Sequence, residues 1–585
     1  VECEDFKILC IAYDFEGKQG VIDLVRDVMP EWLIRVILDP SIIKKAFNAT
    51  FERICLSRHF GVKYISPIGW QCTNIQSARD GIIGNLAVVS KALGDVEKLS
   101  TGKELIKFFS IPKKDGSFNN PLEFKEKFNE FKHYCQVDVQ AEKSIITHNG
   151  FDFDLYIESE KINDRGIKVN IALCKNAVIN CEAYKNQTLE DLKELTCLVN
   201  PNSHVQFKKW LNEQGYPLES TNKETLKALS LQNLSPIVNK AIDLKLSLSA
   251  TSVTKYQKML DMVCEDGRVR GIHRMNGGAT GRFSGQGIQG QNLPRGHIDE
   301  DKRKELIEGG TLTPDECKQL IRSAIEGDFL VADFSSIEAL VLAWLVDDKD
   351  RLIAFKNGLD IYKVTATKIY NVAYEDVNKD QRQTAKIAEL AFGYQGGVNA
   401  AIQFGAKKVL SDIEIEELVK KWRGNNPKIV NFWYGIQEAF KNVIKTKKAI
   451  AFGKLLVYYK QNNIYIRCPS GIDISYPSPQ IVEGRFGETI AYTRVRKGQL
   501  VQEFTYGGKL VENITQAVAF HILRQAILNL KDYKIVMHVH DEIVVEKDKF
   551  WESLDDLIYE MTKKLPWAED LPLKAEGFIS NFYKK

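Results

Sequence analysis

Val536-Met537-His538-Val539-His540-Asp541-Glu542-Ile543-Val544-Val545 reads as two short apolar strands folded about a polar tip. Upstream, Val331-Ala332-Asp333-Phe334-Ser335-Ser336-Ile337-Glu338 carries a buried strand, Phe329–Phe334, through Asp333 and into a helix, Ile337–Val346. Either aspartate alone reads equally well as a turn residue or helix cap. Together they suggest chemistry. Two aspartates on adjacent strands can clamp a pair of divalent cations about 3.5–4 Å apart. Hard, oxygen-preferring Mg²⁺ suits carboxylates completed by substrate phosphates.

A third segment lies between them, Gln381-Arg382-Gln383-Thr384-Ala385-Lys386-Ile387-Ala388-Glu389-Leu390-Ala391-Phe392-Gly393-Tyr394. Arg382, Lys386, Leu390 and Tyr394 recur every fourth residue and form one drifting stripe on a helix. Two cations, an apolar side chain and an aromatic in that order match a nucleoside triphosphate lying along the helix. Arg382 can fork onto a terminal phosphate, and Lys386 can act as a point charge nearer the reacting phosphorus. Alone, the stripe reads as readily as a solvated basic face.

The surrounding chain sets limits. It has 585 residues, 44 % of them hydrophobic, enough for several packed cores. A net charge of +3 neither requires nor excludes a nucleic-acid partner, because duplex binding needs a basic face and not a basic total. The 11 cysteines contain no CxxC pair, which points to reduced thiols and a cytoplasmic protein without structural zinc. No apolar run approaches the ~18 residues that span a bilayer, so no membrane association is expected. No basic-then-apolar leader opens the sequence.

Residues 1–150 alternate strand-like runs (Lys7–Tyr13, Val36–Leu38) with helical ones (Ala49–Phe60, Phe124–Ile146), an α/β pattern. Residues 152–265 read mostly as helices, and Asp266-Gly267 as a turn. Residues 277–295, rich in Gly, Gln and Asn, read as an ordered polar loop.

Taken in order, these segments resemble family A DNA polymerases, the Klenow-type group, and especially their bacteriophage-like members. Asp333 to Glu338 is similar to the family's motif A, Arg382 to Tyr394 to motif B, and His540-Asp541-Glu542 to motif C. Thr280-Gly281-Arg282-Phe283-Ser284 and Gln291-Asn292-Leu293-Pro294 resemble its TGR-x-S and QN-x-P elements. Asn513 and Gln516 resemble the polar pair before motif C. The resemblance covers residues 270–585 closely and 150–265 by arrangement only.

It implies a multidomain α/β fold: a right-hand polymerase of palm, fingers and thumb behind an N-terminal ribonuclease H-like 3′–5′ exonuclease-type domain. The implied boundaries are 1–150 exonuclease-like, 151–265 thumb, 266–340 first part of the palm, 341–460 fingers, and 461–585 second part of the palm. The implied activity is template-directed extension of a primer by two-metal phosphoryl transfer. Two Mg²⁺ ions would serve, with Mn²⁺ as a substitute. Asp333 and Asp541 would be metal ligands, assisted by the Phe334 carbonyl. Arg382, Lys386, Leu390, Tyr394 and Tyr362 would form the dNTP site, and Glu338 would exclude a ribose 2′-hydroxyl. Arg282, Asn292, Asn513, Gln516 and His540 would contact primer–template DNA. The partners implied are primer–template DNA, dNTPs and replisome proteins such as a helicase and a single-strand-binding protein. The protein would work as a monomer in the cytoplasm, a host's if phage-encoded.

Three positions depart from the family pattern: Leu390 stands where Phe is common, Leu340 where Arg is common, and Tyr362 where His is usual. None removes a metal ligand. In the N-terminal region, Asn48-Ala49-Thr50-Phe51-Glu52 and Tyr134-Cys135-Gln136-Val137-Asp138 resemble the second and third exonuclease motifs, with Asn48, Glu52, Tyr134 and Asp138 as the remnant. Asp14-Phe15-Glu16 has the D-x-E spacing of the first motif, but follows a run that better resembles the second strand. It is read as a surface turn, with the true motif upstream of Val1 and proofreading absent or impaired.

Alternatives stand beside this reading. A single-subunit RNA polymerase shares the palm chemistry, and Glu338 argues against it. A non-catalytic replisome scaffold has no need for Asp333, Lys386 and Asp541 together. A stand-alone nuclease would need the first motif. Gly285-Gln286-Gly287-Ile288-Gln289-Gly290 matches a dinucleotide-binding pattern but follows no apolar strand. Trp422, Phe432 and Trp433 could stack on bases, but at their spacing read as core.

Overall fold

The computed structural model describes residues 6–248, 252–484, 487–548, 550 and 552–584. Its centre is a six-stranded sheet in which Ile535–Val539, Glu542–Glu546, Ile325–Phe334, Ile167–Val169 and Arg268–Val269 follow one another, and Ala575–Phe582 also pairs with Ile325–Phe334. The run Phe329 to Ala332 is at most 1 % exposed. Burial on both faces accounts for its continuous apolar character, where a half-exposed strand would alternate. Only at the end of the strand does Asp333 reach a partly open position. Helix Gly507–Asn529 lies beside the sheet and packs on Phe153–Arg165, Ile337–Leu345 and Pro427–Thr446.

Residues 349–446 form a helical block containing Lys349–Lys356, Ile361–Tyr370, Lys379–Phe392, Asp412–Asn425 and Pro427–Thr446. Trp422 and Trp433 are fully buried and stacked at 6.2 Å in its core, as their spacing suggests. On the other side of the sheet, the 26-residue helix Ile171–Thr196 packs with Pro236–Leu248 and Ser252–Met262. A separate small core around Phe207, Trp210 and Leu226 closes its far end.

One feature extends the sequence reading and another corrects it. Residues between the helical block and Gly507 do not continue directly into the central sheet. They build two antiparallel sheets of their own, Ile450–Phe452 to Asp473–Pro477 and Gln480–Gly484 to Gln499–Thr505. Val36–Leu38, read as strand, belongs to helix Glu31–Leu38, which buries Leu33 and Ile37 four residues apart. A short apolar run cannot by itself distinguish the two conformations.

In the N-terminal region, Cys10–Phe15 and Lys18–Asp23 form a hairpin, and Lys44–Ala46 pairs in parallel with Trp70–Cys72. This region is clasped to the rest of the chain by Arg53, which is fully buried. Its guanidinium donates to Asp164 at 2.8 and 2.7 Å, to Glu160 at 2.9 Å and to the Ile65 carbonyl at 2.9 Å. Removing one partner of a buried ion pair strands the others without water. Arg53→Ala should therefore lower the unfolding free energy by about 3–5 kcal/mol in denaturant melts. No described helix is long and apolar enough to cross a membrane.

Candidate active site

Strand register brings the two aspartates together. Asp333 pairs with Glu542 across the sheet, and the Phe334 N–H donates to the Asp541 carbonyl at 3.2 Å. His540 and Asp541 make the hairpin connection, with His540 at φ 56°. Tight hairpins favour such left-handed residues because their twist matches that of the strands. After Asp333 the chain turns through Ser336, at φ 50°, into helix Ile337–Leu345, placing Glu338 in its first turn. An acid is stabilised there by the positive end of the helix.

Glu338 is clamped from two directions. Arg282 Nη2 donates to one carboxylate oxygen at 2.6 Å and the Tyr394 hydroxyl to the other at 2.9 Å. Burial, then Glu338, push the Tyr394 hydroxyl well above its ordinary pKa, so it stays a donor. Three segments remote in sequence thus converge on one side chain. Beside them a cavity of about 200 Å³ is lined by Arg282, Phe283, Glu338, His538, His540 and Asp541.

The Arg382 helix, Lys379–Phe392, starts with a capping box between Asn378 and Gln381. Arg382 Nε donates to Asp360 at 2.6 Å, and Arg382 and Lys386 lie 5.4 and 5.8 Å from the centre of the Tyr362 ring. Leu390, farther along the stripe, is 42 % exposed. Tyr394 lies just beyond the helix. Its carbonyl and Gln395 press on Gly508, leaving no room there for a side chain.

Not every expected contact residue faces the opening. Asn513, expected at the DNA, is buried and donates to the Tyr476 hydroxyl at 2.9 Å, bracing helix Gly507–Asn529 against the added sheet. Gln516 is half-buried beside Glu512, and Asn292 is exposed in a short 3₁₀ turn. Glu389 was not singled out from sequence. It faces inward, where Arg351, Thr365 and Trp422 bind it.

Behind the hairpin, His273 and His538 stack at 3.9 Å, and His521 is buried against Ser470 at 2.7 Å. Burial lowers His273 and His521 to about 3. The folded state then takes up these protons near pH 3, and the unfolded chain near its ordinary 6.5. Between those values the unfolded chain binds more protons, so stability falls as pH drops below 6.5. His521→Asn should lose about 2 kcal/mol less than the parent between pH 7 and pH 5 in denaturant titrations.

Asp14 and Asp138 are each held in an ion pair of their own. Asp14 accepts from Lys143 at 2.6 Å and Gln19 at 2.8 Å; of Asp14-Phe15-Glu16, read as a surface turn, only Glu16 lies in the hairpin turn, at φ 50°, while Asp14 and Phe15 belong to strand Cys10–Phe15. Asp138 pairs with Lys98 at 2.7 Å, and that ammonium lies 4.9 Å from the centre of the buried Tyr134 ring. Burial raises Glu52 to about 8. Asn48 precedes the Glu52 helix without capping it through its side chain. Among the described residues no group of three His, Cys, Asp or Glu side chains is arranged to hold a metal ion.

The description "DNA polymerase family A" matches residues 175–455. The DNA polymerase of Bacillus phage SP02 is 37 % identical across the whole of this chain and 96 % of its own length. The chain belongs to DNA polymerase family A. Its activity is that of a DNA-directed DNA polymerase, and the RNA-polymerase, scaffold and nuclease alternatives give way to it. DNA polymerase I of Treponema pallidum is 28 % identical over 38 % of this chain and 20 % of its own length. Among solved structures, the POL domain of Pol1 from M. smegmatis, in complex with DNA primer-template and dNTP, has a TM-score of 0.62 at 16 % identity, covering 97 % of this chain and 91 % of that one. At that identity the likeness concerns the fold. Family A polymerases use divalent metal ions, a requirement that two strand-end carboxylates suit.

Proposed function

We propose that this family A polymerase extends a primer at the cleft between the Asp333–Asp541 strand ends and the Arg382 helix. The observation that carries the reading is the register setting Asp333 opposite Glu542, with Phe334 bonded to Asp541. In this reading the central sheet is the palm, the helical block the fingers, and the Ile171–Thr196 helices the thumb.

Asp333 and Asp541, with the Phe334 carbonyl, would hold the metal ions. Hard oxygen donors favour Mg²⁺, with Mn²⁺ as a substitute. When bound, the ions lower the pKa of the primer 3′-hydroxyl and neutralise charge on the phosphates. Arg382 and Lys386 hold the triphosphate, so that the primer oxygen meets the α-phosphorus and pyrophosphate leaves opposite it. Arg382 must exchange Asp360 for phosphate as nucleotide enters. Arg282, Asn292, Gln516 and His540 line the path of the primer–template. The protein contributes mainly orientation and preplaced charge.

Glu338, fixed by Arg282 and Tyr394, occupies the volume that a ribose 2′-hydroxyl would need. Glu338→Ala should improve ribonucleotide insertion relative to deoxynucleotide by about 10²-fold, a difference of roughly 2.7 kcal/mol, measured as the ratio of kcat/KM values.

The separate pairing of Asp14 and Asp138 and the burial of Glu52 support an N-terminal domain of exonuclease type without nuclease chemistry. The test is extension of a labelled primer–template with Mg²⁺ and either dNTPs or rNTPs, plus a lane lacking nucleotides. Extension with dNTPs and an intact primer in the last lane is expected. A shortened primer would overturn the reading of the N-terminal domain, and no extension that of the cleft.

A further inference from the structure

Glu389 lies on the nucleotide-facing helix between Lys386 and Leu390, yet its side chain is only 7 % exposed. Arg351 forks onto its two oxygens at 2.8 and 2.7 Å, the Thr365 hydroxyl donates at 2.7 Å and the Trp422 indole at 2.9 Å. Arg351 also donates to Asn426 at 2.7 Å. The donors come from helices Lys349–Lys356, Ile361–Tyr370 and Asp412–Asn425, and Asn426 caps Pro427–Thr446. Burial opposes the charge on Glu389, but Arg351 and the neutral donors outweigh it and hold the carboxyl below its ordinary pKa.

A buried ion pair of this kind adds little stability that well-packed apolar side chains would not supply. What it does supply is direction. A planar fork and two rigidly mounted donors accept a carboxylate in one orientation. That orientation fixes the rotation and height of helix Lys379–Phe392, and so where its opposite stripe of Arg382, Lys386 and Leu390 points.

We propose that Glu389 is a positioning residue of the nucleotide site, locking the phosphate-binding helix to its three neighbours so that Lys386 and Leu390 meet the incoming dNTP in register. The proposal rests on the reading of Arg382 and Lys386 as triphosphate ligands. It also implies that these four helices move as one rigid body whenever the site opens or closes.

The test is single-turnover incorporation by Glu389→Gln, Thr365→Val and the double variant Arg351→Met/Glu389→Met, with Lys386→Ala as the control for the nucleotide reading. Glu389→Gln takes the charged fork partner from Arg351, leaving it Asp348 and Asn426, and should raise the dNTP Kd about tenfold, with primer–template Kd within about twofold of the parent. Thr365→Val, which removes one neutral donor, should raise the dNTP Kd about threefold without a large loss of stability. The double variant replaces the ion pair by apolar packing. It leaves the Thr365 hydroxyl and the Trp422 indole without their acceptor, so it should be no more stable than Glu389→Gln, and it should keep the weakened dNTP Kd. A double variant with parental dNTP Kd, or a folded Glu389→Gln with unchanged dNTP Kd, would overturn the proposal. An unchanged dNTP Kd in Lys386→Ala would instead remove the nucleotide reading beneath it.

Discussion

Asp541→Ala is expected to leave a folded protein that binds primer–template DNA but extends it about 10³-fold more slowly or worse, a barrier increase of roughly 4 kcal/mol or more. The structural reason is the hairpin tip. The backbone there is fixed by the Val539–Glu542 pairing and the Phe334–Asp541 bond, neither of which uses the Asp541 side chain. The substitution therefore removes the carboxylate and keeps its frame. Rapid-quench extension and duplex binding, measured on the same preparation, check this. Binding lost in parallel with rate would place Asp541 in DNA contact and remove it from metal ligation. Extension at the parental rate would dismiss it from the chemistry altogether.

Lys386→Ala should lower kcat/KM for dNTP by about 10²–10³-fold, with much of the loss in the rate of the chemical step. Lys386 carries its charge over the Tyr362 ring, 5.8 Å from the centre, and forms no ion pair among the described residues. In the proposed site a compact ammonium there would face the phosphates, where negative charge is redistributed as the bond to the leaving pyrophosphate breaks. Arg382 differs because it begins paired with Asp360. Its loss should weaken nucleotide binding more than chemistry. Single-turnover rates against dNTP concentration separate the two. Lys386→Arg should rescue poorly, because a wide planar fork does not reproduce a point charge.

The parts of this site legible in sequence were those encoded by local pattern. The strand ending in Asp333 shows as continuous apolar residues, the hairpin as two apolar runs about His540-Asp541, and the helix stripe as a residue type recurring every fourth position. Glu389 was invisible because its partners Arg351, Thr365 and Trp422 are scattered through the helical block. An acid at that helical position looks like any solvated one until the neighbouring helices are in place. Asn513 misled for the opposite reason. It was assigned by resemblance to the family's polar pair, but the sheet added before Gly507 covers it through Tyr476. That sheet was itself passed over, although Gly453, Asn462 and Gly471, all at positive φ, punctuate its short strands.

The Arg53 clasp bears on how such a protein can change over generations. Glu160 and Asp164 belong to the helix that opens the polymerase portion, and the cation that neutralises them comes from the first hundred residues. A deletion ending near residue 150 would remove Arg53 together with the surface that buries both acids, opening to water not only Glu160 and Asp164 but also Leu155, Tyr156 and Ile162, which share a core with Ala49, Leu56 and Trp70. Point mutations could erase whatever catalytic acids the leading region carried at almost no cost to folding. Loss of the region itself would bare that shared core, so the fold holds on to its first 150 residues whatever chemistry they carry.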